Sequence, residues 1–341
     1  MKITIKDIAK EAGVSVATVS NVLNGTGRVS EETAKRIRRI IEERNYVPST
    51  LARGLKNKNT QLISVIVPYL KKGDFEENPF FWQLVSGVEM GTKDQAFNVM
   101  LTRVDRDDDL SFVKRHNVDG LIVVGINADS ALYQNILDLK IPTVFMDSYI
   151  EQPGIYQVHN DDLLGGYLGT KHLLSQGHDR IVLVMGRLAD RGVEYQRLLG
   201  YKKALAEAGL AYDTHLVMEN GGSMLGGYHA AQRITVLPEK ATAAFVLSDI
   251  GAMGLIKGLN EMGKKVPEDI SVVGYDDIFY TEYMIPSLTT IRQDIFKKGM
   301  MAAGLLLAQI NGEPVPEQSI FLPVELKVRA STAKRLEKGC E

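Results

Sequence analysis

Only one cysteine occurs in the 341 residues, Cys340, next to the C-terminal residue, so neither an intrachain disulfide nor a CxxC metal site is available. A reducing cytoplasm suits that composition. Nowhere do the roughly 18 apolar residues that a membrane-spanning helix needs run together without charge. The opening MKITIKDIAKEAG has no apolar stretch after its first charges, so the expectation is a cytoplasmic protein without an export signal. Also missing are the P-loop, GxSxG, HExxH and GxGxxG patterns, and with them the signals for phosphate cradles, nucleophile elbows, zinc peptidases and dinucleotide sites. The six histidines (His116, His159, His172, His178, His215, His229) show no metal-ligand spacing and read as surface or satisfied structural residues. No metal, cofactor or catalytic residue is expected. Adjacent carboxylates, Asp161/Asp162 and Asp276/Asp277, leave an acid-base enzyme of sugar metabolism open, although sequence neighbours seldom converge on one substrate atom.

What is present is unevenly spread. The net charge is −2, yet residues 1–60 hold twelve Lys and Arg against six Asp and Glu, a balance of +6, which leaves −8 for the remainder. A locally basic segment on an acidic body suits a polyanion-binding head, because phosphate neutralisation needs clustered cations; a solvated helical surface explains the same numbers. Three short helices are expected in residues 1–46. Thr4 and Asp7 form a capping-box pattern, Ile5, Ile8, Ala9 and Ala12 share a face, and Gly13 ends the first helix. Ser15 caps a second helix with Val19, Val22 and Leu23 inward, and Ser30 a third with Ala34, Ile37, Ile40 and Ile41 inward and Glu31 and Glu32 in its first turn. Residues 47–60 are polar and basic, with Leu51, Ala52 and Leu55 able to share a helical face only where something supports them.

From residue 61 the pattern changes to apolar strands between amphipathic helices: 62–68, 97–104, 118–126, 141–147, 180–186, 243–249 and 270–277. Continuous Val, Ile and Leu runs mark strands buried on both faces, which is the habit of parallel sheets covered by helices. The predicted fold is therefore α/β, a helical head followed by two parallel-sheet lobes over 61–341, the first about 61–158 and 290–318, the second about 159–289 and 319–332. Ligands of such sheets bind at the carboxyl ends of strands, where Asp147, Asp161, Ser248, Asp249, Asp276 and Asp277 gather.

TIKDIAKEAGVSVATVSNVLNGTGRVSEETAKRIRRIIEERNYVPSTLARGLK resembles the helix-turn-helix head and hinge of the lactose/galactose-repressor family almost position for position. NPFFWQLVSGVE, VDGLIVVG, IPTVFMD, DDLLGG, SQGHDRIVLVMG, RLLGY, VLSDIGAMG, VPEDISVVGYDD, PSLTTIRQD and LKVRAST continue the likeness through the family's periplasmic-binding-protein-like sensor domain. The resemblance implies base-facing roles for Ser15, Val16, Ala17, Thr18, Ser20 and Asn21, and backbone contacts from Thr4, Asn24 and Arg28. It places Ser49, Ala52, Arg53 and Leu55 in a hinge whose leucine wedges into the minor groove. Val16 and Ala17 suit thymine methyl groups, and Asn21 stands where many relatives carry Arg. For the sensor it implies ligand contacts from Phe80 and Phe81, near Asn78, and from Asp147, Asp161, Arg197, Asp249 and Asp276; Trp82 is expected in the core, and Gly222 stands where some relatives place an aromatic ring. Paired carboxylates, a guanidinium fork and aromatic faces suit a carbohydrate. The implied partners are palindromic operator DNA, a sugar or sugar-phosphate effector and a second copy of the chain; the tail AKRLEKGCE lacks the heptads of a tetramerising coiled coil. A solute-binding transport protein shares the two-lobed body but not the basic head.

Overall fold

The computed structural model describes residues 3–24, 26–46, 60–68, 78–104, 110–189, 191–315 and 317–335. It separates into two compact units, Met1–Thr60 and Gln61–Glu341.

Three helices form the first unit: α1 Ile5–Ala12, α2 Val16–Asn24 and α3 Glu31–Glu43. Their apolar stripes account for its core, in which Ile8, Ala9, Ala12, Val19, Ile37 and Ile40 are buried with Val22, Leu23 and Ile41 packed alongside. The expected punctuation is in place. Asp7 accepts hydrogen bonds from the Thr4 N–H (2.8 Å) and hydroxyl (2.7 Å), and Gly13 turns α1 off in the left-handed region at φ 63°. Ser15 and Ser30 cap α2 and α3 by accepting the N–H of Thr18 (3.1 Å) and of Thr33 (3.3 Å). Arg44 grips Glu11 at 2.9 Å and ties the end of α3 to α1.

The second unit holds twelve strands and eight helices among its described residues: β1 Leu62–Pro68, α4 Pro79–Thr92, β2 Asn98–Val104, α5 Ser111–His116, β3 Gly120–Val124, α6 Ala131–Asp138, β4 Thr143–Met146, β5 Tyr156–Asn160, α7 Asp162–Ser175, β6 Ile181–Val184, α8 Val193–Glu207, β7 Val217–Met218, α9 Met224–Thr235, β8 Ala243–Val246, α10 Asp249–Glu261, β9 Ser271–Asp276, β10 Thr289–Gln293, α11 Ile295–Asn311, β11 Ser319–Leu322 and β12 Val324–Lys327. They form two six-stranded sheets, ordered β11-β5-β4-β3-β1-β2 and β12-β10-β9-β8-β6-β7, parallel throughout except for the antiparallel β10–β12 edge. Each sheet is buried on both faces. Val65, Val144 and Val158 pack toward α4 and α11 and Ile66, Val123 and Phe145 toward α5 and α6; in the second sheet Val182, Val246 and Val272 face α9 and α10, and Leu183, Phe245 and Tyr275 face α7 and α8. Valine suits such double burial because its branched Cβ fills a pleated surface.

The lobe boundaries need correcting from the expected ones. The chain crosses between sheets after β5, after β10 and between β11 and β12, so residues 290–293 of β10 lie in the second lobe and 319–322 of β11 in the first, opposite to the expected bounds, while α11 packs on the first sheet and β12 joins the second. Only Pro323 separates β11 from β12, and proline cannot continue a hydrogen-bonded ladder, so one apparent strand is split between two sheets. Trp82 is 55% exposed, not core: α4 turns Phe81, Leu84 and Val88 inward, which leaves position 82 on the outer face. No helix among the described residues is long and apolar enough to cross a membrane.

Candidate functional sites

In the head, the first turn of α2 presents small side chains to solvent. Ser15, Val16 and Ala17 are exposed, while Val19 behind them anchors the helix at full burial. The Ser15 and Thr18 hydroxyls share a hydrogen bond at 2.9 Å, and Thr18, Ser20 and Asn21 are half-buried. Asn21 is backed by Gly27: a Cβ there would stand 2.8 Å from the Asn21 amide nitrogen. Thr4 and Arg28 are exposed. With no acidic residue in that turn, the partial positive charge of the α2 N-terminus is uncompensated. Asn24 closes α2, with its side chain outside the described atoms, and Ser49, Ala52, Arg53 and Leu55 lie outside the described residues.

In the body, the carboxyl ends of the two sheets meet at the crossings, and the polar side chains there form one network. Lys298, on α11 and 1% exposed, donates to both oxygens of Asp147 (2.8 and 3.0 Å) and to Gln293 Oε1 (3.0 Å). Gln293, the last residue of β10, accepts the Asn160 amide at 2.6 Å and donates to Asp276 at the end of β9. Arg197, 6% exposed on α8, donates to Asp162 Oδ1 (2.8 Å) and the Leu247 carbonyl (2.9 Å), and its guanidinium lies 3.5 Å from the centre of the Tyr275 ring. Tyr149 of the first lobe donates to Asp162 Oδ2 at 2.7 Å, and the Asn127 amide donates to the Arg191 carbonyl at 3.0 Å, so the lobes touch directly. Asp147 and Asp276 have positive φ, 57° and 121°; the first is the left-handed region that Asp tolerates, and the second is a conformation that an L residue holds only where its surroundings impose it.

Electrostatics follow from burial. Burial raises the Asp276 carboxyl to about 6, against the pull of Arg197 and the Gln293 hydrogen bond. Burial likewise raises Glu194, in the first turn of α8, to about 7; Oε1 accepts the Gly186 N–H at 3.0 Å, and Oε2 is buried with no hydrogen-bond partner among the described residues. Burial alone lowers the Arg197 guanidinium, but the anionic groups around it outweigh that and keep it charged.

The structure sorts the sequence-based candidates. Asp147, Arg197 and Asp276 belong to the network. Phe80 is half-buried with its ring 5.8 Å from Lys298 Nζ, whereas Phe81 packs into the core at 8% exposure. Asn78 caps α4 by accepting the Phe80 N–H at 3.0 Å. Asp161 does not enter the cleft: it is exposed and caps α7 by accepting the Leu164 N–H at 2.9 Å, so the carboxylate that meets Arg197 is Asp162, one residue later and turned inward by the helix. Asp249 is held within the second lobe. It is fully buried, with its oxygens taken by the Thr290 hydroxyl (2.6 Å) and the Ile278 N–H (2.9 Å), while Ser248 supplies the cap of α10. The adjacent carboxylates diverge, Asp161 to solvent and Asp277 to Arg329 at 2.6 Å, so neither pair converges on one point. Asn160, Glu194, Gln293 and Lys298 escaped the sequence reading, which named Asp162 only as one of an acid-base pair with Asp161. Their polarity carries no periodic signal, and only the meeting of strand ends brings them together.

Two family descriptions match this chain: bacterial regulatory proteins of the lacI family over residues 4–49, and a periplasmic binding protein-like domain over 170–332. The ribose operon repressor of Haemophilus influenzae is 35% identical over 334 residues, 96% of this chain and 98% of that protein. Among solved structures, the lac repressor dimer bound to operator and the anti-inducer ONPF is 28% identical, with a TM-score of 0.85 over 98% of this chain and 100% of that one. A lacI-family regulator from Enterococcus faecium with bound ribose is 35% identical, with a TM-score of 0.71 over 81% of this chain and 100% of that one.

Proposed function

This chain belongs to the lacI family of bacterial regulatory proteins, and we propose that it represses a carbohydrate-utilisation operon by binding a palindromic operator as a homodimer in the cytoplasm, under control of a sugar-like effector held between its lobes. The observation that carries this reading is the network through Asp147, Lys298, Gln293 and Asp276. The groups that a bound polyol would meet are also the groups that hold the two lobes at one angle. A ligand that replaces some of these hydrogen bonds favours one lobe arrangement over the other by its differential affinity, and so couples binding to the spacing of two heads. One relative is known on operator as a dimer and another with ribose bound, which supports both halves of the reading.

In the head, Ser15, Val16, Ala17, Thr18, Ser20 and Asn21 reach base edges, with Thr4, Asn24 and Arg28 on phosphates. In the hinge, Ser49, Ala52 and Arg53 flank Leu55, which enters the minor groove. One head makes too few contacts for selective binding, and pairing two raises effective concentration. Two exposed apolar patches suit the pairing: Phe279, Tyr283 and Ile285 after β9, and Trp82, Met90, Phe296 and Met300 on the packed pair α4 and α11.

The test is operator titration with fragments from the chain's own genomic neighbourhood. Binding is expected to fall by about a thousandfold or more between 50 and 200 mM salt, to shift when a sugar is added, and to weaken in Leu55→Ala while the body keeps its melting temperature. Indifference to every such fragment, with and without sugars, removes the reading.

A further inference from the structure

Glu194 and Arg197 stand three residues apart on α8 and therefore share a face, and that face looks onto the carboxyl ends of the second sheet. Glu194 faces Arg197 on its own helix, Asp162 on α7, Asp276 at the end of β9, and the N–H of Gly186 just past β6. Gly186 in turn borders Gly222: a Cβ on Gly222 would lie 3.4 Å from the Gly186 Cα. The fold thus uses Glu194 Oε1 and leaves Oε2 buried without a donor among the described residues. Buried polar atoms are otherwise nearly always paired, and an orphan at a cleft marks a place where something else supplies the hydrogen.

Charge decides what that something is. Four carboxyl groups, those of Asp147, Asp162, Glu194 and Asp276, face two buried cations, Lys298 and Arg197. Each cation is already held, Lys298 by Asp147 and Arg197 by Asp162, both at 2.8 Å. Arg191, nearer the surface, is paired with Glu151 at 3.0 Å. Glu194 also sits in the first turn of α8, where backbone N–H groups would otherwise attract an anion. Above about pH 7, where Glu194 and Asp276 are carboxylates, a phosphate or carboxylate brought here meets acids that no buried cation offsets, whereas a hydroxyl donates to them.

We propose that Glu194 is a direct ligand contact and that the cleft selects an uncharged, hydroxyl-rich ligand against the phosphate esters and acids of the same sugar. The inference rests on reading the interlobe cleft as the effector site. Because burial raises the Glu194 carboxyl to about 7 and the carboxylate form is the acceptor, affinity rises with pH across that value; for a single group of this kind the gain from pH 6 to pH 8 is about tenfold.

The full-length protein is titrated calorimetrically with D-ribose, D-glucose and cellobiose, and with ribose 5-phosphate, glucose 6-phosphate and gluconate, at pH 6 and pH 8. At least one uncharged sugar is expected to bind, its anionic counterpart about a hundredfold more weakly or not at all, with the tenfold pH gain. Glu194→Gln is expected to lose that gain and to bind about tenfold more weakly at pH 8. Should the variant fold poorly, the pH profile and the phosphate discrimination of the unaltered chain still decide. A phosphate ester that binds as tightly as its parent sugar, an uncharged panel that does not bind, or a Glu194→Gln protein within twofold of the unaltered one overturns the proposal. Operator titration on the same samples separates the two levels: sugar binding without any DNA binding breaks the regulator reading, and DNA binding with unselective or Glu194-independent ligand binding breaks only this one.

Discussion

A carboxyl group inside a protein wall is held either by a cation or by its own proton, because an unpaired charge in a poorly polarisable interior costs several kcal/mol. The cleft uses both solutions within one side-chain cluster. Asp147 and Asp162 have Lys298 and Arg197; Glu194 and Asp276 are pushed up by burial to about 7 and about 6. The sign of the consequence is fixed. A group whose folded value lies above its unfolded value lends stability that is complete below the unfolded value and is lost as pH rises through the folded one. For Glu194 that window runs from the ordinary 4.5 to about 7. Glu194→Gln carries no such proton, so its stability relative to the unaltered protein should improve by about 3 kcal/mol between pH 4 and pH 8, the equivalent of about 2.5 units at 1.36 kcal/mol each. Urea midpoints of both proteins at the two pH values measure it, and a difference that is constant with pH would mean the carboxyl is not protonated in the fold.

At the scale of elements, the three closest helix pairs share one device. Gly87 of α4 faces the Phe296 carbonyl of α11, Gly166 of α7 the Arg197 carbonyl of α8, and Gly254 of α10 the Met224 carbonyl of α9, with an added Cβ at 2.1, 2.0 and 1.8 Å respectively. Backbone cannot yield as the end of a side chain can, so each pair is set at a distance that only hydrogen at Cα allows. Two of these pairs carry site residues, Lys298 on α11 and Arg197 and Glu194 on α8, so helix spacing also sets where the cleft walls stand. Gly254→Ala is therefore expected to cost about 1 to 3 kcal/mol through overpacking and to lower the melting temperature by several degrees. Gly304, exposed on α11 with nothing within 4 Å of its would-be Cβ, is the contrast: Gly304→Ala should raise stability by about 0.5 to 1 kcal/mol, as an unstrained glycine replacement in a helix does. Calorimetric melting of the two variants reads both signs.

At the scale of the molecule, three crossings join the lobes, and Asn160 and Gln293 end two of the strands that lead into them. A ligand seated on the network would therefore act on the covalent joints between the described strands of the two sheets as well as on the contacts of Tyr149 with Asp162 and of Asn127 with Arg191. The exposed Phe279, Tyr283 and Ile285 lie on the second lobe, with Ile285 94% exposed, an unusual cost for a monomer in water. Tyr283→Asp combined with Ile285→Asp is expected to shift the protein from dimer to monomer in sedimentation equilibrium and to weaken operator binding by about a hundredfold or more, because the second head is then no longer tethered. A double variant that sediments as a dimer would move the interface elsewhere.

Much of this was readable along the chain, for a physical reason. Helix caps, apolar stripes and buried strands are local: Ser15 capping α2, Val19 and Ile37 facing inward, and the Val-rich runs of β1 and β3 follow from side chains within a few residues of one another. The short polar strands β5 and β10 carried no such signal, since their buried positions hold polar residues, among them Gln157, Asn160, Thr290 and Gln293, whose hydrogen-bond partners only the fold supplies. Which of two neighbouring acids turns inward, Asp161 or Asp162, depends on where α7 begins relative to β5. Whether Asp249 can reach a ligand depends on Thr290, which is 41 residues away. The amino-acid order by itself determined a basic helical head, two parallel-sheet lobes and the types of residue at the strand ends. The tertiary structure alone decided which of those side chains share a cluster, which are consumed by the fold and which oxygen is left over, because hydrogen bonding and burial are settled between segments far apart in sequence.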